Sequence, residues 1–253
     1  MIKKERIKEM SIFNKIFKSN NVASATETTT ATQIPLEISN TISLAKEEVH
    51  KICLSKKPLN GLVARVGLVL DYSGSMDWLY NNGTVQSVIE KILPLAMEFD
   101  DNNTMECWIF ENGYRRLPDI NLSNYQNYVN NIIRGKYSMG GTRYAPVMKD
   151  VVDEYSNGKL PAYVLFITDG DNFDKSETDS IIIKASKSPI FWQFVGLGSA
   201  DFDYLQKLDD MSGRYVDNAD FFKVDKASYI TYNDLLNEFP NWLKYEKVKD
   251  MLR

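Results

Sequence analysis

Asp71, Ser73 and Ser75 stand at alternate positions in the stretch VGLVLDYSGSMDW, which runs from Val66 to Trp78. A second acid, Asp169, lies in VLFITDGDN, and Thr142 follows the pair Gly140-Gly141 in YSMGGTRYAP. Two carboxylates and three hydroxyls offer oxygen donors only, with no nitrogen or sulfur. Carboxylates held close together repel each other, so either one takes up a proton or a cation sits between them. The hydroxyls favour the cation, because hard oxygen ligands in an incomplete shell select Mg²⁺, Mn²⁺ or Ca²⁺. Two acids carry too little charge for a tight Ca²⁺ cage. Mg²⁺, which keeps waters and an open position, is the expected ion.

The elements that must position these residues can be read from hydrophobic pattern. LVARVGLVLD is a continuous apolar strand, of the sort buried on both sheet faces, and AYVLFIT and PIFWQFVGLG are two more. Between them, TVQSVIEKILPLAMEF, YAPVMKDVVDEY, DKSETDSIIIKASK and FDYLQKLDD carry apolar residues at helical spacing, with a kink expected at Pro94. MECWIF and GYRRLP read as short strands joined by the turn ENG, one of them an antiparallel edge strand. SNYQNYVNNIIR is expected to be a helix with Ser123 as N-cap, and GRYVDN a short strand. The segment from Tyr232 to Leu252 reads as a helix interrupted at Pro240. Strands alternating with helices imply a mostly parallel sheet covered on both faces. Ligands of such sheets bind at the carboxyl ends of the strands. If the strands ending at Asp71 and at Thr168-Asp169 are neighbours, their acids emerge side by side. Gly74 eases the turn between the serines, and the Gly140-Gly141 pair gives the Thr142 loop the flexibility to reach the same place.

Before the first strand the chain changes character. Residues 1–18 read as a basic amphipathic helix in which six basic residues oppose two acidic ones, a net +4 that leaves −8 for the rest of a chain of total charge −4. Residues 19–38 are rich in Ser, Thr, Ala and Asn and read as a flexible linker. A leading helix, Asn40 to Ser55, opens the remaining unit, 39–253. The acidic balance, with pI near 5.2, argues against a nucleic-acid partner. Two scattered cysteines and a single histidine, His50, argue against a disulfide framework, a zinc site or a Ser-His-Asp device. No apolar run approaches the roughly 20 residues of a membrane-spanning helix, so a cytoplasmic protein is expected.

In order and placement, DYSGSM, GGT and TDGDN resemble the three loops of a metal-ion-dependent adhesion site of the von Willebrand factor A (vWA) fold. RVGLVLDYSGSM, YRRLPDINLSNYQNYV, GGTRYAPVMKDVV, VLFITDGDN and PIFWQFVGLG are further similar to bacterial vWA proteins associated with tellurite resistance, over about Ser39 to Leu252. The resemblance implies a Rossmann-like, doubly wound sheet with one metal at its top. Asp71, Ser73 and Ser75 match the first loop, Thr142 the second and Asp169 the third, so all five metal positions are intact. It also implies that the open coordination position accepts a carboxylate, Asp or Glu, from a protein partner.

The expected function is therefore a binding module, not an enzyme, acting in a bacterial stress-response or tellurite-resistance-associated assembly, with no catalytic residue assigned. One alternative is a Mg²⁺-dependent phosphoester hydrolase, which normally needs a second acid two residues after the first, where Ser73 stands. Another is an adaptor tethered to a membrane surface through residues 1–18. Asp77 and Asp171 are read as solvated loop carboxylates, GLGSAD as a strand-ending turn, and Tyr114-Arg115-Arg116 as an exposed strand. Trp78 and Tyr80 stand beside the first loop and serve equally well as a partner-facing rim or as local packing.

Overall fold

Strand alternation splits the core into two layers, one on each side of a single sheet. In the computed structural model, which describes residues 33–253 (side chains from 41), six strands run in the order β3-β2-β1-β4-β5-β6. They are β1 (Arg65–Asp71), β2 (Met105–Phe110), β3 (Tyr114–Ile120), β4 (Ala162–Thr168), β5 (Ile190–Leu197) and β6 (Ala219–Val224). All neighbours pair in parallel except β2 and β3, the expected antiparallel edge. Along β4, Tyr163, Leu165 and Ile167 enter one core cluster while Ala162, Val164 and Phe166 enter the other, as a period of two dictates.

Helices α1 (Gln33–Ser55) and α3 (Thr84–Phe99) and three short C-terminal helices cover the first face. Helices α4 (Ala145–Tyr155), α5 (Lys175–Ala185) and α6 (Asp203–Asp209) cover the second. This is a Rossmann-like α/β fold. Its strand order reverses between β1 and β4, where Leu70 pairs with Ile167. The carboxyl ends of those two strands form the topological switch point at which ligands of open α/β sheets bind.

The sheet leaves no room beside Gly67. A Cβ there would stand 2.9 Å from the Tyr155 hydroxyl and 3.3 Å from Trp108. Gly67→Ala is expected to destabilise the protein by ~1–3 kcal/mol, as overpacked core sites do; urea denaturation would show it as a lowered midpoint at unchanged slope.

Several local expectations are corrected. The segment after β3 is not a helix from Ser123. Asn121 Oδ1 accepts from both the N–H and the hydroxyl of Ser123, at 2.8 and 2.5 Å. Asn127 adopts φ 54°, and only a π-helical turn, Val129–Ile133, forms. Asparagine side chains that bond the nearby backbone compete with helix in this way. GRYVDN forms no strand; the sixth strand starts just after it, at Ala219. The C-terminal segment is three short helices, α7 (Tyr232–Leu235), α8 (Phe239–Trp242) and α9 (Glu246–Met251). Pro240 lies in the first turn of α8, where its missing N–H is harmless, and the Thr231 hydroxyl accepts from Asp234 N–H at the start of α7. Helix α3 runs unbroken through Pro94. The leading helix begins by Gln33, so positions 33–38 of the expected linker are helical. The expected helix over 1–18 and the linker up to 32 lie outside the described residues.

Candidate metal centre

Asp71 is the last residue of β1 and is fully buried. Its Oδ1 accepts the Ser73 N–H at 2.7 Å, and its Oδ2 accepts the hydroxyl of Thr168, the last residue of β4, at 2.6 Å. The chain then turns through a 3-10 stretch, Gly74–Met76, into the short helix α2 (Asp77–Asn81). This turn brings the serine hydroxyls within 3.1 Å of each other and lets Ser75 Oγ donate to Asp169 Oδ1 at 2.8 Å. One continuous set of hydrogen bonds therefore joins Asp71, Ser73, Ser75 and Asp169 across two loops.

The second loop is locked to the first by backbone. Gly74 N–H donates to Gly140 O at 3.0 Å, and Ser73 bridges Gly140 as in a parallel ladder. Its glycines lie close against the β2–β3 turn. A Cβ on Gly140 would stand 2.8 Å from Asn112 Nδ2 and 3.2 Å from Glu111 Cβ, and one on Gly141 2.7 Å from Asn112 Oδ1. The β2–β3 turn is thus clasped against this loop, and Glu111 O also accepts from Arg143 N–H at 2.8 Å. Thr142 is buried; its carbonyl accepts from Phe173 N–H at 3.0 Å, and its hydroxyl has no hydrogen-bond partner among the described residues. Asp174 fastens the third loop to the second by accepting from the N–H groups of Tyr144 and Ala145, at 3.0 and 2.9 Å, where α4 begins.

Burial pushes the Asp71 carboxyl up to about 6, against the pull of hydrogen bonds from Thr168 and Ser73, and the Asp169 charge adds to the rise. Burial also raises Asp169, while the Ser75 hydroxyl opposes it. Neither acid has an ion-pair partner among the described residues. A buried, uncompensated carboxylate is costly, and the cost falls when a proton or a cation arrives. The donors gathered here are oxygens alone, which fits a hard divalent ion. Nowhere among the described residues do three or more His, Cys, Asp or Glu side chains group to hold a metal, so a centre here would depend on the hydroxyls.

Thr168 and Tyr144 were not among the expected site residues. Tyr80 is buried and its hydroxyl donates to Asp71 O at 2.9 Å, so of the two aromatics in doubt it is packing, whereas Trp78 is exposed. Tyr144 OH donates to Gly170 O at 2.5 Å and reaches Thr168 Oγ1 at 3.2 Å. A threonine ending an apolar strand was the available signal for Thr168; for Tyr144, two residues beyond a candidate ligand, there was none. Asp171 is paired with Lys175 at 2.5 Å and Asp77 accepts from Asn81 at 2.8 Å, so both acids are engaged locally.

The description "vWA found in TerF C terminus" matches residues 63–252. Protein YcbR of Bacillus subtilis (strain 168) is 43% identical over 223 residues, covering 84% of this chain and 90% of YcbR. Copine-D of Dictyostelium discoideum is 25% identical over 197 residues, which take in 75% of this chain and 35% of Copine-D, so the chain spans about a third of that relative. Of solved structures, BatB from Bacteroides thetaiotaomicron aligns with 74% of this chain and 98% of its own, at 16% identity and a TM-score of 0.49. With three quarters of its length matched by that description, and with the sheet just described, the chain belongs to the vWA-TerF-like family of von Willebrand factor A domains.

Proposed function

We propose that this protein is a metal-dependent protein-binding module and not an enzyme. In this reading Asp71, Ser73, Ser75, Thr142 and Asp169 hold one Mg²⁺-type ion, with Mn²⁺ or Ca²⁺ as substitutes, and the ion captures an Asp or Glu of a partner protein. The observation that carries the reading is Asp71, a fully buried carboxylate without an ion-pair partner among the described residues, linked through the Ser73 N–H and then the Ser73 and Ser75 hydroxyls to Asp169, a half-buried carboxylate that also lacks an ion-pair partner among them. Bound there, the ion would offer a coordination position that the protein's own oxygens leave open, and a carboxylate is the hard oxygen ligand such an ion prefers. The chain's own residues set the geometry. Ser73 N–H and the Thr168 hydroxyl fix the plane of Asp71, and Ser75 orients Asp169. The Gly74–Gly140 contact makes the first two loops move as one.

Membership of a family often engaged in metal-dependent protein interactions supports the binding role. The Bacillus relative supports a bacterial setting; a cytoplasmic stress-response or tellurite-resistance-associated assembly is part of the same proposal. A hydrolase would need an acid where Ser73 stands, and Ser73 is engaged with Asp71 through its N–H and with Ser75 through its hydroxyl. Among the described residues no helix is long and apolar enough to cross a membrane.

Titration of the full chain with MgCl2 and MnCl2 in a calorimeter tests the reading. One saturable site at millimolar or lower metal is expected, together with partner capture in Mg²⁺ that EDTA reverses. Absence of any metal uptake would remove it.

A further inference from the structure

The two most exposed large hydrophobic side chains among the described residues, Phe173 at 80% and Trp78 at 71%, both border the candidate metal centre. Trp78 follows Ser75 by three residues in one helical run, from the Gly74–Met76 turn into α2. That spacing puts the two side chains on one face, with Cβ atoms about 5–6 Å apart. Phe173 lies on the other flank. Its ring edge is 3.2 Å from the point where a Cβ on Gly141 would stand, and its N–H donates to Thr142 O. An indole beside Ser75 and a phenyl beside Thr142 thus flank the oxygen cluster. Neither ring has an aromatic or cationic partner among the described residues. Solvent-facing aromatics of this kind anchor interfaces.

The charges around the rings narrow what they can hold. Asp77, Glu111 and Asp171 stand on the same edge of the sheet, and of the nearby cations Lys175 is committed to Asp171 and Arg143 to Asp174 and Glu177. A run of acids would meet repulsion on every side of the ion. A single acid with apolar neighbours would not.

We infer that Trp78 and Phe173 form a two-sided apolar clamp that selects a partner segment in which one acidic residue is flanked by bulky hydrophobic side chains. The inference rests on the ion-site reading above and adds to it the identity of the residues next to the captured acid.

Trp108, Trp192 and Trp242 are buried, so Trp78 is the one exposed tryptophan of the chain's four, and acrylamide quenching of fluorescence reports on it. The test uses the full chain in MgCl2 and three synthetic peptides of equal length: one Asp flanked by Leu and Phe, one Asp flanked by Ser, and a run of Asp among Ser. The first peptide is expected to bind at least ~10-fold more tightly than the others and to shield Trp78 from acrylamide. A Trp78→Ser, Phe173→Ser double variant is expected to lose that ~10-fold preference while taking up Mg²⁺ in the calorimeter as the unaltered chain does. Equal binding of the first peptide by the double variant, equal binding of the acidic-run peptide, or binding of no peptide despite normal Mg²⁺ uptake would each overturn the clamp and leave the ion site standing. Failure of the unaltered chain to take up Mg²⁺ would overturn both.

Discussion

Asp71→Asn is expected to weaken Mg²⁺ uptake by more than ~100-fold and, without metal at pH 7.5, to make the protein more stable than the unaltered chain. The first effect follows because a direct charged ligand is lost, and even outer-sphere partners cost roughly 10–100-fold. The second follows from burial. The Asp71 carboxyl is pushed up from 3.8 to about 6 in the folded protein. Its favourable contribution is the neutral form, fully present below about pH 4 and lost as pH rises through 6. At pH 7.5 the folded chain carries an ionised acid at a cost of ~1–3 kcal/mol, the free energy that a rise of this size represents. Asparagine removes that cost and keeps the contacts. Its Oδ1 can accept the Ser73 N–H, and its Nδ2 can donate to Thr168 Oγ1, which has Gly170 O 3.3 Å away as an alternative acceptor. Metal-free thermal melts of both proteins at pH 5 and 7.5, with calorimetry at 7.5, check the pair of effects. Undiminished Mg²⁺ uptake by the variant would remove Asp71 from the centre.

A second large effect is expected at the opposite edge of the sheet, where Asp209, Asp217 and Asp220 gather at the end of α6 and the start of β6. Burial, and then the charges of Asp220, Asp210 and Asp217, raise the Asp209 carboxyl to about 7. Arg214 serves Asp217, at 2.7 Å, and otherwise donates to the carbonyls of Met211 and Asp209. Stability from neutral Asp209 is complete below about pH 4 and disappears as pH climbs through 7. Asp209→Asn is therefore expected to raise stability by about 1–2 kcal/mol at pH 5 and by about 3–4 kcal/mol at pH 8.5. Urea denaturation at the two pH values measures the difference. A gain of the same size at pH 5 would show that packing, and not charge, was responsible.

The difference between these two acids illustrates what a sequence reveals. Asp71 was legible because an apolar run ended on it and two hydroxyls followed at a recognisable spacing. The three fully apolar strands and the helices between them were legible for the same reason, since each carries its own burial signal. Asp209 was not, because its neighbour Asp220 arrives from a strand that carries Asp220 and Lys223 among its six residues and so lacks the continuous apolar pattern. The asparagine-rich segment after β3 has apolar residues at helical spacing, but its side chains bond the backbone and Asn127 turns left-handed. The position of Thr142 beside the first loop depends on Glu111 and Asn112 from a distant hairpin, which no local window contains. The convergence of the first and third loops could be anticipated once β1 and β4 were taken as neighbours, and the structure pairs them directly.

The two cysteines give this molecule a practical property. Cys53 and Cys107 are both buried, and burial pushes each thiol up to about 12. Near neutral pH only on the order of one in 10⁵ of either would be a thiolate, the form that attacks electrophiles. An added surface cysteine would then be the sole site for maleimide labelling, so dyes could be placed around the rim without first removing the native sulfurs. The same inertness closes one chemical route for the chain: a reducible oxyanion in solution would find no accessible thiolate on it to react with.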